Sequence, residues 1–136
     1  LLTTTFETAL AEGLILNGRH AEAGRLVEGT IEHCRKSGDA FAMPELLRIK
    51  ASILKALGGG DTMPAQGVLE ESLALSRQQG ARAWELRAAM DLARLWLEQG
   101  RVGDAKQLLD SWGDVVSSDV DTMDRRELRE LWQAIR

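Results

Sequence analysis

Few residues in this chain are of a type that does chemistry, and their spacing decides what they can do. His20, His33 and Cys34 are the only soft metal ligands in the 136 residues. A structural zinc site wants four ligands, and His33 and Cys34, adjacent on a helical stretch, point about 100° apart, so they do not easily share one ion. As a nucleophile Cys34 would need a base facing it, and its neighbour His33 faces elsewhere, so it reads as a small buried hydrophobe. Gly58-Gly59-Gly60-Asp61-Thr62 is the one glycine-rich loop. A phosphate cradle needs a strand before such a loop and a Lys-Ser or Lys-Thr opening the next helix, and both are missing. Trp84, Trp96, Trp112 and Trp132 sit at helical spacing among apolar neighbours and read as core. With no paired carboxylates, triad or metal set in view, no catalytic residue, metal site or cofactor is expected.

The elements that would position any site are helices. Asn17-Gly18-Arg19, Ser37-Gly38-Asp39, Gly58-Gly59-Gly60-Asp61, Gln79-Gly80, Gln99-Gly100-Arg101 and Trp112-Gly113-Asp114 each follow a stretch of helical periodicity. A glycine there suits the left-handed residue that commonly ends a helix. The spacing predicts helices over 3–17, 20–37, 42–57, 63–79, 82–99 and 103–112, joined by loops short enough to make consecutive helices antiparallel neighbours. Apolar stripes are expected at Leu46, Leu47, Ile49, Ile53, Leu54 and Leu57, at Leu69, Leu73 and Leu75, and at Leu86, Met90, Ala93 and Leu97. Pro44 and Pro64 fall near helix starts, with Asp61 or Thr62 as the cap of the second. Leu128, Leu131, Trp132 and Ile135 make one stripe of a final amphipathic helix over 121–136, expected to cap the array.

Self-comparison shows a repeat. Ala11, Leu14 and Gly18 are followed by Ala23 and Val27; Ala51, Leu54 and Gly58 by Ala65 and Leu69; Ala93, Trp96 and Gly100 by Ala105 and Leu109. The steps are 40 and 42 residues, with a two-residue insertion absorbed by the Gly58-Gly59-Gly60 run. Small residues at these sites let partner backbones approach, and the bulky residue a turn later fills the adjoining gap.

This pattern resembles the tetratricopeptide repeat, although its period is longer than the usual 34 or so residues. More specifically, Ser76-Arg77-Gln78-Gln79-Gly80-Ala81-Arg82-Ala83-Trp84-Glu85-Leu86-Arg87-Ala88-Ala89, continuing through Leu92-Ala93-Arg94-Leu95-Trp96 to Gln99-Gly100-Arg101, is similar to a stretch of bacterial signalling ATPases. Met43-Pro44-Glu45-Leu46-Leu47-Arg48-Ile49-Lys50 belongs to the same resemblance, which covers about residues 40 to 110. In that family the region is a C-terminal tetratricopeptide-like array, preceded by a P-loop ATPase module and often by a class III nucleotidyl cyclase or a winged-helix DNA-binding domain. The chain departs from the family after Trp112, at Val115-Val116-Ser117-Ser118-Asp119, and no family catalytic residue carries over. The resemblance implies an all-α solenoid forming one domain over 1–136, with three helical hairpins over 3–37, 42–79 and 82–112 and the capping helix over 121–136. The segment over 113–123 has no assigned role.

Composition narrows the function. Apolar residues make up 44% and charged residues 28%, and 17 Lys and Arg against 21 Asp and Glu leave a net charge of −4. A mildly acidic domain has no overall pull on nucleic acid or anionic lipid. One cysteine forms no internal disulfide, and no apolar run approaches the length of a membrane span, so a reducing, cytoplasmic setting is expected. The chain opens on Leu1-Leu2-Thr3 without a charged leader, which reads as a piece of a larger regulator. The expected function is a non-catalytic protein-interaction and regulatory module, whose partner is a protein, a peptide or another domain of its own chain. Homodimerisation through an unpaired apolar face at the N-terminal end stays open. The alternative is a small-ligand sensor, with an effector in the concave groove.

In arrays of the resembled kind the first helix of each hairpin lines the concave face. Projecting the repeat places Thr5, Thr8, Glu12 and Ile15, then Glu45, Arg48, Ser52 and Lys55, then Arg87, Met90, Arg94 and Leu97 along that groove. Arg48, Ser52, Lys55, Arg87, Met90 and Arg94 are the candidate partner-binding residues. A groove dominated by cations would focus potential on an acidic peptide, a chain terminus or an acidic patch of another domain. The competing expectation is that these cations are simply paired with acids such as Glu12, Glu45 and Glu98.

Overall fold

The computed structural model describes the backbone of residues 2–136 and the side chains of residues 7–136. Its elements are α1 (Leu2–Leu16), α2 (His20–Ser37), α3 (Met43–Leu57), α4 (Met63–Gln79), α5 (Arg82–Glu98), α6 (Val102–Asp110), α7 (Gly113–Val116) and α8 (Met123–Ile135), with no strand among the described residues. The chain is all-α. No helix among the described residues is long and apolar enough to cross a membrane.

Local chemistry explains most of the boundaries. Gly80 closes α4 in the left-handed region at φ 67°, and its N–H donates back to the last turn. Pro44 and Pro64 occupy the first turns of α3 and α4, where a missing N–H costs least. Asp61 rather than Thr62 serves the start of α4, its carboxylate accepting from the Met63 N–H at 3.1 Å. Two glycines depart from the expected role of left-handed terminator. Gly58 has φ −79°, and the left-handed turn after α3 falls to Gly59 and Gly60 instead. Gly113 opens the short helix α7, so the helix expected over 103–112 ends at Asp110 as α6, and a further helix follows it inside the segment 113–123.

Helices pack on their chain neighbours, α1 and α3 also touch, as do α3 and α5, and α8 rests on α5, α6 and α7. The alanines of the repeat sit at these contacts: Ala11, Ala23, Ala51, Ala65, Ala93 and Ala105 are all buried. One core cluster gathers Ala11, Val27, Ile31, Cys34, Leu46 and Ile53, and a second runs from Leu69 and Leu86 through Leu95 and Leu109 to Trp112 and Leu128. Val68 packs against both, so the apolar interior is continuous along the chain. Leu57, expected on the buried stripe, is instead 58% exposed, because it is the last residue of α3 and the chain turns away at Gly58.

Candidate functional site

Arg48, Ser52 and Lys55 recur at helical spacing on one face of α3, as do Arg87, Met90 and Arg94 on α5. The contact between α3 and α5 brings these two faces together. A cavity of about 600 Å³ lies between them and the start of α8, lined by Arg48, Arg87, Met90, Asp91, Arg94, Thr122, Met123, Asp124 and Glu127. A second, of about 240 Å³, continues along Arg48, Ser52, Lys55 and Arg94, and a third, of about 270 Å³, reaches Glu12 and Ile15 of α1. Arg48 lines all three, so the six candidate residues do share one concave surface. Met90 is buried and forms part of the floor. Thr8, Glu45 and Leu97 line none of these cavities, and Leu97 packs against the core. Thr5 lies outside the described side chains.

The groove is not the cationic surface that the repeat alone predicts, because every candidate cation has an acidic neighbour. Arg48 makes a two-pronged bond to Glu45, Nη2 to Oε1 at 2.7 Å and Nε to Oε2 at 3.1 Å, and its Nη1 donates to Asp91 at 3.0 Å. Burial opposes the charge on Arg48, but the hydrogen bonds and charges of Glu45 and Asp91 outweigh it and hold the guanidinium above its ordinary pKa. Asp91 also accepts from Arg94 Nη1 at 3.1 Å, while Arg94 Nη2 reaches Glu127 at 3.5 Å. Arg87 Nε donates to both oxygens of Asp124 at 3.1 and 3.2 Å. Lys55 pairs with Glu98. Of the expected partners Glu45 and Glu98 are found, while Glu12 pairs with none of these cations; Asp91, Asp124 and Glu127 are not among the expected ones. Asp91 had a signal, since it stands between Arg87 and Arg94 at spacings of four and three residues on one helix face. Asp124 and Glu127 had none, because they come from α8, whose register against α5 is set by tertiary packing.

The three arginines of the large cavity differ in what they have left to give. Arg48 uses Nε and both terminal nitrogens, and acts as a clamp between α3 and α5. Arg87 uses only Nε among the described residues, so its two terminal nitrogens remain unbonded, and its side chain is 40% exposed. Arg94 keeps its Nε and is 41% exposed. What the arrangement offers is therefore recognition by charged hydrogen bonds: planar donors poised for a carboxylate, above a thioether floor.

The other chemistry-bearing residues stay apart. His33 is exposed while Cys34 beside it is buried, and no group of three His, Cys, Asp or Glu among the described residues is arranged to hold a metal ion. The glycine run lies between two helices, with no strand before it. Trp112 is buried and the other three tryptophans are partly buried, with Arg82, Arg101 and Arg136 lying over the rings of Trp112, Trp96 and Trp132. No family model, curated protein or solved structure matches the chain.

Proposed function

We propose that this chain is a non-catalytic interaction and regulatory module, a tetratricopeptide-like array of helical hairpins whose concave face recognises an acidic peptide or an acidic patch of a neighbouring domain. One observation carries this reading: Arg87 and Arg94 of α5 flank a cavity of about 600 Å³, half-exposed and with donors unused, and the Arg48 clamp ties α5 to α3. Rigid scaffolding of this kind favours binding, since less freedom is lost when the partner docks. The buried alanine repeat supports the hairpin reading, and the stretch from Ser76 to Arg101 supports a setting within a larger bacterial regulator, where output belongs to ATPase, cyclase or DNA-binding domains.

The alternative of a small effector is favoured by the same volume, which falls within the range of small-molecule sites. The two readings differ in salt dependence and length. An acidic peptide gains affinity with each added carboxylate and loses it with salt, whereas an enclosed small ligand does neither to the same degree.

The test is titration of the chain with a fluorescein-labelled oligoglutamate peptide at low and at physiological salt. The expected result is salt-sensitive binding that is lost in Arg87→Gln/Arg94→Gln. Neutral glutamines are preferable to charge reversal, which would set new carboxylates against Asp124 and Glu127. The exposed pairs removed are worth at most about 1 kcal/mol each, so the double variant should still fold. Binding that ignores the double substitution would rule out the groove.

A further inference from the structure

The start of α8, residues 123–127, has two features that capping an array does not require. Its carboxylates Asp124 and Glu127, three residues apart and so on one face, reach across to Arg87 and Arg94, the two groove arginines with unused donors. Between them in sequence, Arg125 is 7% exposed, and its Nε is buried with no hydrogen-bond partner. Asp121, whose carboxyl feels the charge of Arg125, is itself bonded to Arg126. A buried guanidinium N–H without an acceptor is unfavourable, and water relieves it. The docked turn is thus held by ion pairs at its two acids and opposed by the unpartnered Nε–H of Arg125.

The rest of the element is built so that the turn can leave without dismantling the core. α8 grips the interior further along, through Leu128 and Leu131, with Trp132 and Ile135 packed beside them. Its far end is tied to α6 by the Arg136 to Asp110 pair. Ahead of the turn, residues 117–122 form the longest connection between described helices. Val120 and Met123 on either side of the cap Thr122 are 64% and 72% exposed, so they contribute little to holding it.

We propose that the first turn of α8 is a built-in pseudo-ligand for the groove: Asp124 and Glu127 hold Arg87 and Arg94 until an acidic partner segment takes them over, and the displaced turn returns Arg125 to water. This rests on the reading of the concave face as an acidic-partner site. The displacement lowers the apparent affinity by the fraction of molecules in which the turn is docked, and it converts occupancy of the groove into a movement of the C-terminal helix.

The test uses the full chain, its variants Asp124→Asn/Glu127→Gln, Arg125→Met and Arg87→Gln/Arg94→Gln, and labelled oligoglutamate as the probe. Removing the internal carboxylates should tighten binding about tenfold, a change worth about 1.4 kcal/mol. Arg125→Met removes the unpartnered Nε–H that opposes docking, so it should weaken binding. In the wild-type chain the probe should speed amide exchange at residues 123–127 and leave 131–135 unchanged. Equal affinities for the wild type, Asp124→Asn/Glu127→Gln and Arg125→Met, all lost in Arg87→Gln/Arg94→Gln, would overturn the pseudo-ligand and leave the groove reading standing. Binding that is absent throughout, or indifferent to Arg87 and Arg94, would overturn both. Should Asp124→Asn/Glu127→Gln fail to fold, Glu127→Gln alone, at the longer and more exposed of the two contacts, carries the same expectation with a smaller gain.

Discussion

Gly58 and Gly67 show how one residue type answers different needs. Gly58 has an ordinary right-handed φ of −79°, but a Cβ there would lie 2.6 Å from the Asp61 carbonyl oxygen and 2.9 Å from that of Leu54. Backbone on both sides leaves little room to yield, so Gly58→Ala should cost about 1 to 3 kcal/mol, as overpacking does. Gly67 lies within α4, where a Cβ would meet nothing within 4 Å, and Gly67→Ala should gain about 0.5 to 1 kcal/mol from reduced chain entropy. Chemical denaturation of the two variants checks both signs, and a neutral Gly58→Ala would mean that the turn after α3 is looser than described. The sequence marks Gly58 as a helix stop, yet the reason lies in space around Cβ rather than in φ, and a one-dimensional pattern does not carry that distinction. The alanines were more legible, because small residues recurring at steps of 40 and 42 imply close approach whatever the local angles, and all six are buried.

Among α2 to α8, α8 is the one whose N-cap residue bonds its own helix through its side chain: Thr122 Oγ1 accepts from the Arg125 N–H at 3.1 Å, whereas α4 is served by Asp61, one residue before its N-cap. Thr122→Ala should therefore cost about 1 kcal/mol, as loss of a cap typically does. The loss should be confined to α8, read as faster amide exchange at its first turns with α3 and α5 unaffected. Unchanged exchange would show that the ion pairs to α5 alone hold the turn. The long helices were readable from apolar periodicity and glycine punctuation. α7 was not, because four residues between Trp112 and Ser117 carry no helical period, and Gly113 reads as an end where it opens α7.

At the scale of the whole molecule, placing α3 beside α5 and α8 across α5 turns six scattered residues into one surface and also neutralises it. The cations were legible because they follow the repeat, and so were Glu45 and Glu98. Asp124 and Glu127 were not, since a single sequence gives no register for the last helix against the array. The acidic net charge of −4 therefore does not rule out an arginine-lined groove, because Arg87 and Arg94 keep unused donors despite their acidic neighbours. Under the proposed function it is this surface, rather than the outer helices, that meets the partner. The most direct measurement is a residue-resolved NMR titration of the full chain with oligoglutamate. Shift changes gathered on Arg48, Ser52, Lys55, Arg87, Met90 and Arg94 and on the first turn of α8 are the predicted result. Changes gathered on α2, α4 and α6, or none at any residue, would contradict it.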